Sequence, residues 1–204
     1  MPVQKLEIEI ISYFFRNQTG NQLLFKNLVQ IKSFFPHLDM NAMVKWIVSV
    51  MNGHPALFDQ LEQMFKALES YYQTANFGHH SLKLSDFLHK LVANFVAKIY
   101  RERHAKKTPW GTLVPEDKKI TDDEITRFVS ILMPVVLHGM YSKLNLDHFA
   151  KITQNLAFLR PELVIPPIME RLFTAFETLT EPHKLTANML FVGSMSRSIG
   201  KCKQ

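Results

Sequence analysis

The stretch 159–197, LRPELVIPPIMERLFTAFETLTEPHKLTANMLFVGSMSR, decides the fold. It reads as two amphipathic helices joined by a tight turn. Pro161 suits the first helical position, where its fixed φ is already helical and its missing N–H would be unpaired anyway. Leu163, Ile168, Leu172, Ala175, Phe176 and Leu179 follow at mostly helical spacing and form one apolar stripe. Glu162, Glu170, Arg171 and Glu177 are left nearer water. Pro166 and Pro167 each remove an i→i−4 bond, so the helix is expected to kink or restart there. Thr180 is a good N-cap for the second helix, with Pro182 in its first turn, and Leu185, Met189, Val192 and Met195 fall on one face.

Two apolar-faced helices cannot bury both stripes against each other alone. Neighbouring pairs must cover them, and stacked pairs make a solenoid. A proline inside the first helix of a pair is characteristic of HEAT units. At this point a more specific likeness enters. Asn155-Leu156-Ala157, the run 160–167 (RPELVIPP) and the run 177–187 (ETLTEPHKLTA) resemble the middle HEAT-repeat region of the large proteasome activators, the family of proteasome activator complex subunit 4. Arg101-Glu102-Arg103, Trp110, Val114-Pro115, the run 119–122 (KITD) and the run 139–143 (GMYSK) also resemble it. The likeness is dense from 101 to 198 and weak before Met43, and no part of it is a catalytic motif.

The rest of the chain reads as helix after helix. The run 6–15, LEIEIISYFF, is assigned to a helix, although its first half alternates like a strand. Leu23, Leu24, Leu28, Ile31 and Phe35 mark a second helix. Asp39 is placed as the cap of a third containing Met43, Val44, Ile47, Val48 and Met51. Pro55 opens a fourth with Leu57, Leu61, Met64, Phe65, Leu68 and Tyr72 on one face and an i,i+4 Glu62–Lys66 pair on the other. After a loop over 75–81, Ser81 or Ser85 starts a long fifth helix lined by Phe87, Leu88, Leu91, Val92, Phe95, Val96 and Ile99. Thr121 and Glu124 form a capping box for the sixth, which carries Ile125, Phe128, Val129, Leu132 and Val136. Asn145 is placed as the cap of a seventh with Phe149, Ile152 and Leu156. The expected architecture is therefore all-α, a HEAT/armadillo-like solenoid of antiparallel helix pairs with about nine helices. It forms one segment over 1–204, with an internal loop over 108–120 between two halves. Met189, Leu190, Phe191 and Val192 cover more than one stripe, so the last helix expects a neighbour after it, and Lys201 to Gln204 reads as cut rather than finished.

Composition agrees with this and excludes alternatives. The chain has 204 residues, 47% hydrophobic, with only seven glycines, which disfavours a turn-rich β fold. A single cysteine, Cys202, excludes an internal disulfide framework and fits a reducing compartment. No apolar run approaches the ~20 residues that span a bilayer. The opening MPVQKLEIEI lacks a small-residue cleavage site, so a signal peptide is not expected. The net charge of +6 and the pI near 9.4 describe either a basic interaction surface or a fragment whose acidic neighbours lie elsewhere in a longer chain.

Candidates for chemistry are few. His79 and His80 are adjacent, so they do not share a helical face as an i,i+4 metal pair does, and no metal site is assigned. Cys202 has no base oriented beside it. There is no Gly-x-Ser-x-Gly elbow, no Gly-rich phosphate loop and no His-Glu-x-x-His, so no enzyme is expected and no catalytic, cofactor-binding or metal residue is assigned. The one concentrated basic cluster is Arg101, Arg103, His104, Lys106 and Lys107, with Lys118 and Lys119 across the loop. It reads as a contact patch for a polyphosphate or an acidic protein surface, or as a solvated helix end favoured by the helix dipole. Only Tyr100 and Trp110 interleave with it, too few for a single-strand nucleic-acid platform.

The resemblance implies a non-enzymatic role. The whole protein would cap the 20S core particle, open its gate and promote ubiquitin-independent degradation of peptides and proteins. It also implies acetylated histones as partners, DNA repair as a setting, and cytoplasm and nucleus as locations. Inositol phosphates bound by the complete activator are not placed on this segment, so no cofactor is assigned, and neither a membrane nor direct nucleic-acid contact is expected. The family docks a C-terminal tail containing an aromatic residue, and the closing GKCKQ is not such a tail, so this segment is expected to act as scaffold. A different class of function is a generic HEAT adaptor that binds one partner along its concave face, with no proteasome link.

Overall fold

The structure, a computed structural model, describes residues 40–51, 55–73, 79–104, 114–116, 119–142, 145–177 and 181–201. The first two expected helices, Asp39, Trp110, Thr180 and Cys202 lie outside these residues. The described residues form eight α-helices and one 3₁₀ turn. They are α1 (Met40–Val50), α2 (Pro55–Leu68) with a 3₁₀ extension (Glu69–Tyr72), α3 (His79–His104), α4 (Asp122–Gly139), α5 (Leu146–Leu159), α6 (Pro161–Glu177), α7 (Pro182–Ser194) and a short α8 (Ser196–Lys201).

The helices sort into two layers. One holds α2, α4 and α6 and the other α1, α3, α5 and α7, each helix packing on the next but one in the chain. Contacts within a layer advance along both helices together, so those neighbours run parallel. On the first layer Asp59 and then Glu69 meet Arg127 and then His138, and Asp122 and then Leu137 meet Arg160 and then Arg171. On the second, Ser81 bonds Asn145 and Ser85 contacts His148. Contacts between layers run the other way. Phe95 stacks on Phe128 at 3.8 Å, whereas Arg103, further on, reaches back to Asp122. Successive helices are therefore antiparallel hairpins, α2/α3, α4/α5 and α6/α7, stacked side by side, which is the HEAT-like solenoid expected.

The apolar phases of α1 to α5 follow the sequence spacing. Val44, Ile47, Val48 and Met51, then Leu61, Met64, Phe65 and Leu68, then Phe87, Leu88, Leu91, Val92 and Phe95 are buried in one continuous core. Burying each such side chain contributes on the order of 1.5–3 kcal/mol. The Thr121 capping box forms, with Glu124 N–H donating to Thr121 Oγ1 at 3.3 Å and Thr121 N–H donating to Glu124 at 2.8 Å. Glu62 and Lys66 pair at 2.7 Å.

Several details differ from expectation. α3 begins at His79, inside the stretch expected to be loop. Asn145 precedes α5 but makes no side-chain cap; its amide instead donates to buried Ser81 across the layer at 3.2 Å. α6 runs from Pro161 to Glu177 without restarting. Pro166 and Pro167 fall early in it, so the bonds they forgo, to the carbonyls of Glu162 and Leu163, belong to the first turn. The buried stripe of α6 is Val164, Ile168 and Leu172, and Phe176 is 47% exposed rather than interior. In α7 the buried residues are Ala187, Asn188 and Phe191, while Met189 is 57% exposed. Asn188 is tolerated inside because its amide donates to Tyr141 Oη at 3.4 Å and to the Arg171 carbonyl at 3.3 Å. Arg171, expected near water, donates to the Leu137 carbonyl at 2.8 Å and lies 5.9 Å from the Tyr141 ring centre. Among the described residues no helix is long and apolar enough to cross a membrane.

Candidate functional site

The second layer carries an open seam between α3 and α5. Ala93 and Ala97 of α3 are among the residues that line it. It is a groove of about 680 Å³ to which α8 contributes Arg197 and Ser198. Tyr100 from α3 and Phe158 from α5 stand on its walls, 60% and 54% exposed. Gln154 and Asn155 add amides, and Arg101 and Arg197 bring two guanidinium groups to its rim. A smaller hollow continues past Tyr100 and Phe158 toward Arg103, His104 and Arg160.

The basic cluster read from the sequence lies beside this groove, but its members differ in role. Arg103 pairs with Asp122 at 2.8 Å, and Arg160 shares the same carboxylate at 2.8 Å. Those two guanidinium groups hold the Asp122 carboxyl below its ordinary pKa, chiefly through their hydrogen bonds. The trio ties the end of α3 to the starts of α4 and α6, and Glu102 adds a bond from the Ile120 N–H at 3.1 Å. Lys119 pairs with Glu116. Arg101 is exposed and donates to its own helix at the Ala97 carbonyl, and the His104 ring lies 4.8 Å from that of Tyr100. Lys106, Lys107 and Lys118 lie outside the described residues. The structure thus brings Arg101 to the groove and His104 to the adjoining hollow, and uses Arg103 and Lys119 in ion pairs.

Two buried or half-buried groups were not singled out by the sequence. Lys98 sits inside the layer and donates to the carbonyls of Val48 at 2.6 Å and Ser49 at 3.2 Å, capping the last turn of α1. Burial lowers its pKa to about 8, against the opposing pull of Glu102. Its i+4 spacing to Glu102 is legible, but its burial is not. His89 and His148 stack at 5.6 Å across the α3–α5 seam, with His148 Nδ1 3.4 Å from Ser85 Oγ. Burial, then the neighbouring His148 and Lys151, hold His89 below its ordinary pKa. The side chains of His79 and His80 are not described, and among the described residues no three His, Cys, Asp or Glu side chains converge as metal ligands.

Comparison with known proteins bears on the chain as a whole. The family model for the mid HEAT-repeat region of proteasome activator complex subunit 4 matches residues 61–204. The chain belongs to the proteasome activator complex subunit 4 family. It is 41% identical to the human proteasome activator complex subunit 4 over 162 residues, covering 79% of this chain. It is likewise 41% identical over 162 residues to subunit 4B of Danio rerio, and 29% identical over 155 residues to the proteasome activator subunit 4 of Arabidopsis thaliana. The chain spans about 9% of the length of the vertebrate relatives and 8% of the plant one. Within the family segment the quoted residues have evident structural work. Arg160, opening RPELVIPP, holds Asp122 and donates to Thr126 at 3.0 Å. Gly139, opening GMYSK, lets the Phe149 ring rest directly on its Cα, since a Cβ there would lie 2.1 Å from that ring.

Proposed function

We propose that this chain is a wall segment of a proteasome activator that caps the 20S core particle and promotes ubiquitin-independent degradation of peptides and proteins. The observation that carries the reading is the family match over 61–204 on a two-layer solenoid of stacked hairpins. A scaffold explains the allocation of side chains: the buried Lys98, Asn145 and Asn188 and the Asp122 trio all bond helix to helix. The role is non-enzymatic. Acetylated histones as partners, a setting in DNA repair, placement in cytoplasm and nucleus, and inositol phosphates bound elsewhere in the whole protein accompany the reading by resemblance alone.

Gate opening requires a docking element, and the described residues are given over to stacked hairpins. The chain alone is expected to leave 20S hydrolysis of a fluorogenic peptide at its basal rate. Clear activation by the 204-residue chain would refute the scaffold assignment.

A further inference from the structure

We propose that the α3/α5/α8 groove takes up a short acidic peptide segment in which aspartates or glutamates flank one large apolar side chain. The inference concerns this groove alone and stands apart from the proteasome reading. The apolar lining is Ala93, Val96 and Ala97 with the exposed rings of Tyr100 and Phe158. An apolar side chain seated there would cover aromatic surface that now faces water. Arg101 and Arg197 are the charged residues of its lining, and among the described residues no carboxylate lines the groove. The adjoining hollow adds His104, Arg103 and Arg160 against Asp122, the one acid among its described residues, whose carboxylate both arginines already hold. The field over the groove is therefore positive, and planar guanidinium forks match carboxylates in bidentate pairs. Gln154 and Asn155 supply donors and acceptors for a peptide backbone.

Other occupants fit less well. A second copy of this chain carries +6 itself and would bring like charge to a positive groove. A nucleic acid needs a row of cations along its backbone and a platform of several stacking rings, whereas the groove lining carries two arginines and two aromatic rings.

The test is selection followed by titration. A phage-displayed library of random twelve-residue peptides is panned on the full 204-residue chain, with counter-selection on R101E/R197E. Selected peptides, labelled with fluorescein, are then titrated by anisotropy. The expected outcome is enrichment of sequences with a marked excess of Asp and Glu around a Leu, Ile, Met, Phe or Trp. Their affinity should fall about tenfold or more in R101E/R197E, to a lesser extent in R101Q/R197Q and severalfold in Y100S, and stay within twofold in K66E on the opposite layer. Far-ultraviolet circular dichroism verifies that each variant is folded, and both arginines are solvent-exposed. Failure to enrich, enrichment without acidic excess, or equal binding to R101E/R197E would overturn the proposal. So would tighter binding of a fluorescein-labelled twelve-nucleotide oligouridine that is lost in the same variants, which would make the groove a nucleic-acid surface.

Discussion

The Gly139–Phe149 contact fixes how α4 meets α5, and it makes a quantitative prediction. A Cβ built on Gly139 would lie 2.1 Å, 2.3 Å and 2.6 Å from three atoms of the Phe149 ring, whereas ordinary contact begins near 3.4 Å. In G139A the ring must retreat by roughly 1.3 Å, and it has no free volume to enter, since Phe149 is 1% exposed inside the continuous core. The ring also meets Tyr72 edge-on at 6.3 Å, so its movement disturbs α2's extension as well. Overpacking of this kind costs about 1–3 kcal/mol, and because the ring is hemmed on several sides the upper part of that range applies. Replacing a helical glycine by alanine returns less than about 1 kcal/mol at a helix end. The net expectation is a loss of about 2 kcal/mol, or ~4–8 °C in Tm for a chain this size. Urea denaturation followed by circular dichroism reads it. The decisive control is F149L, destabilising by itself, which should suppress the cost of G139A so that the double variant loses less than the sum of the singles. A G139A chain as stable as wild type, or strictly additive effects, would refute the argument from close approach.

Four further outcomes follow from the same packing. Lys98 has a folded pKa near 8 against an ordinary 10.5, so between those values the unfolded chain holds the extra proton and this group makes stability rise with pH; urea midpoints at pH 7.5 and 10 should show the rise in wild type and lose it in K98M. At pH 7, K98A should be less stable by ~1–3 kcal/mol, because two carbonyls of α1's last turn lose a charged donor. His89 is held below its ordinary pKa of 6.5 among His148, Lys151, Lys90 and Asp86, near Ser85, so the unfolded chain binds its proton first on acidification. Stability should therefore fall as pH drops below 6.5, and H89Q should flatten that part of a thermal-melting profile. T121A removes the cap of α4 and should cost ~1 kcal/mol, measurable in the urea midpoint, while T121S should keep most of it.

Legibility from sequence varied along the chain for physical reasons. In α2, α3 and α5 polar residues interrupt the apolar ones regularly, so the phase of each stripe is fixed by its own sequence. Leu61, Met64 and Phe65 lie among Gln60, Glu62, Gln63 and Lys66 and are buried as the spacing implies. In α6 and α7 apolar residues occupy several faces, and only the neighbouring hairpin selects which is covered. Phe176 and Met189 consequently turn outward while the polar Asn188 turns in. Capping at Thr121 is local and was readable, whereas the role of Asn145 depends on Ser81 across the layer. The basic cluster was visible as composition, but its division was not. Arg103 and Asp122 meet only because α3 and α4 are antiparallel, and the groove needs Ala97, Phe158 and Arg197 from three helices. Lys98 shows the same limit, since an i,i+4 pair with Glu102 looks solvated until α1 is laid over it.

The central claim is that this hairpin stack serves as a wall of a proteasome activator, and a chimera tests it most directly. The segment of human proteasome activator complex subunit 4 that aligns with this chain is replaced by the chain's own matching residues, and 20S hydrolysis of a fluorogenic peptide is measured with the purified protein. A stimulation within about twofold of the unaltered human protein is predicted, because the stacked hairpins and the Asp122 trio should reproduce the wall. A monodisperse chimera with undiminished helical content that leaves the 20S particle at its basal rate would contradict the account.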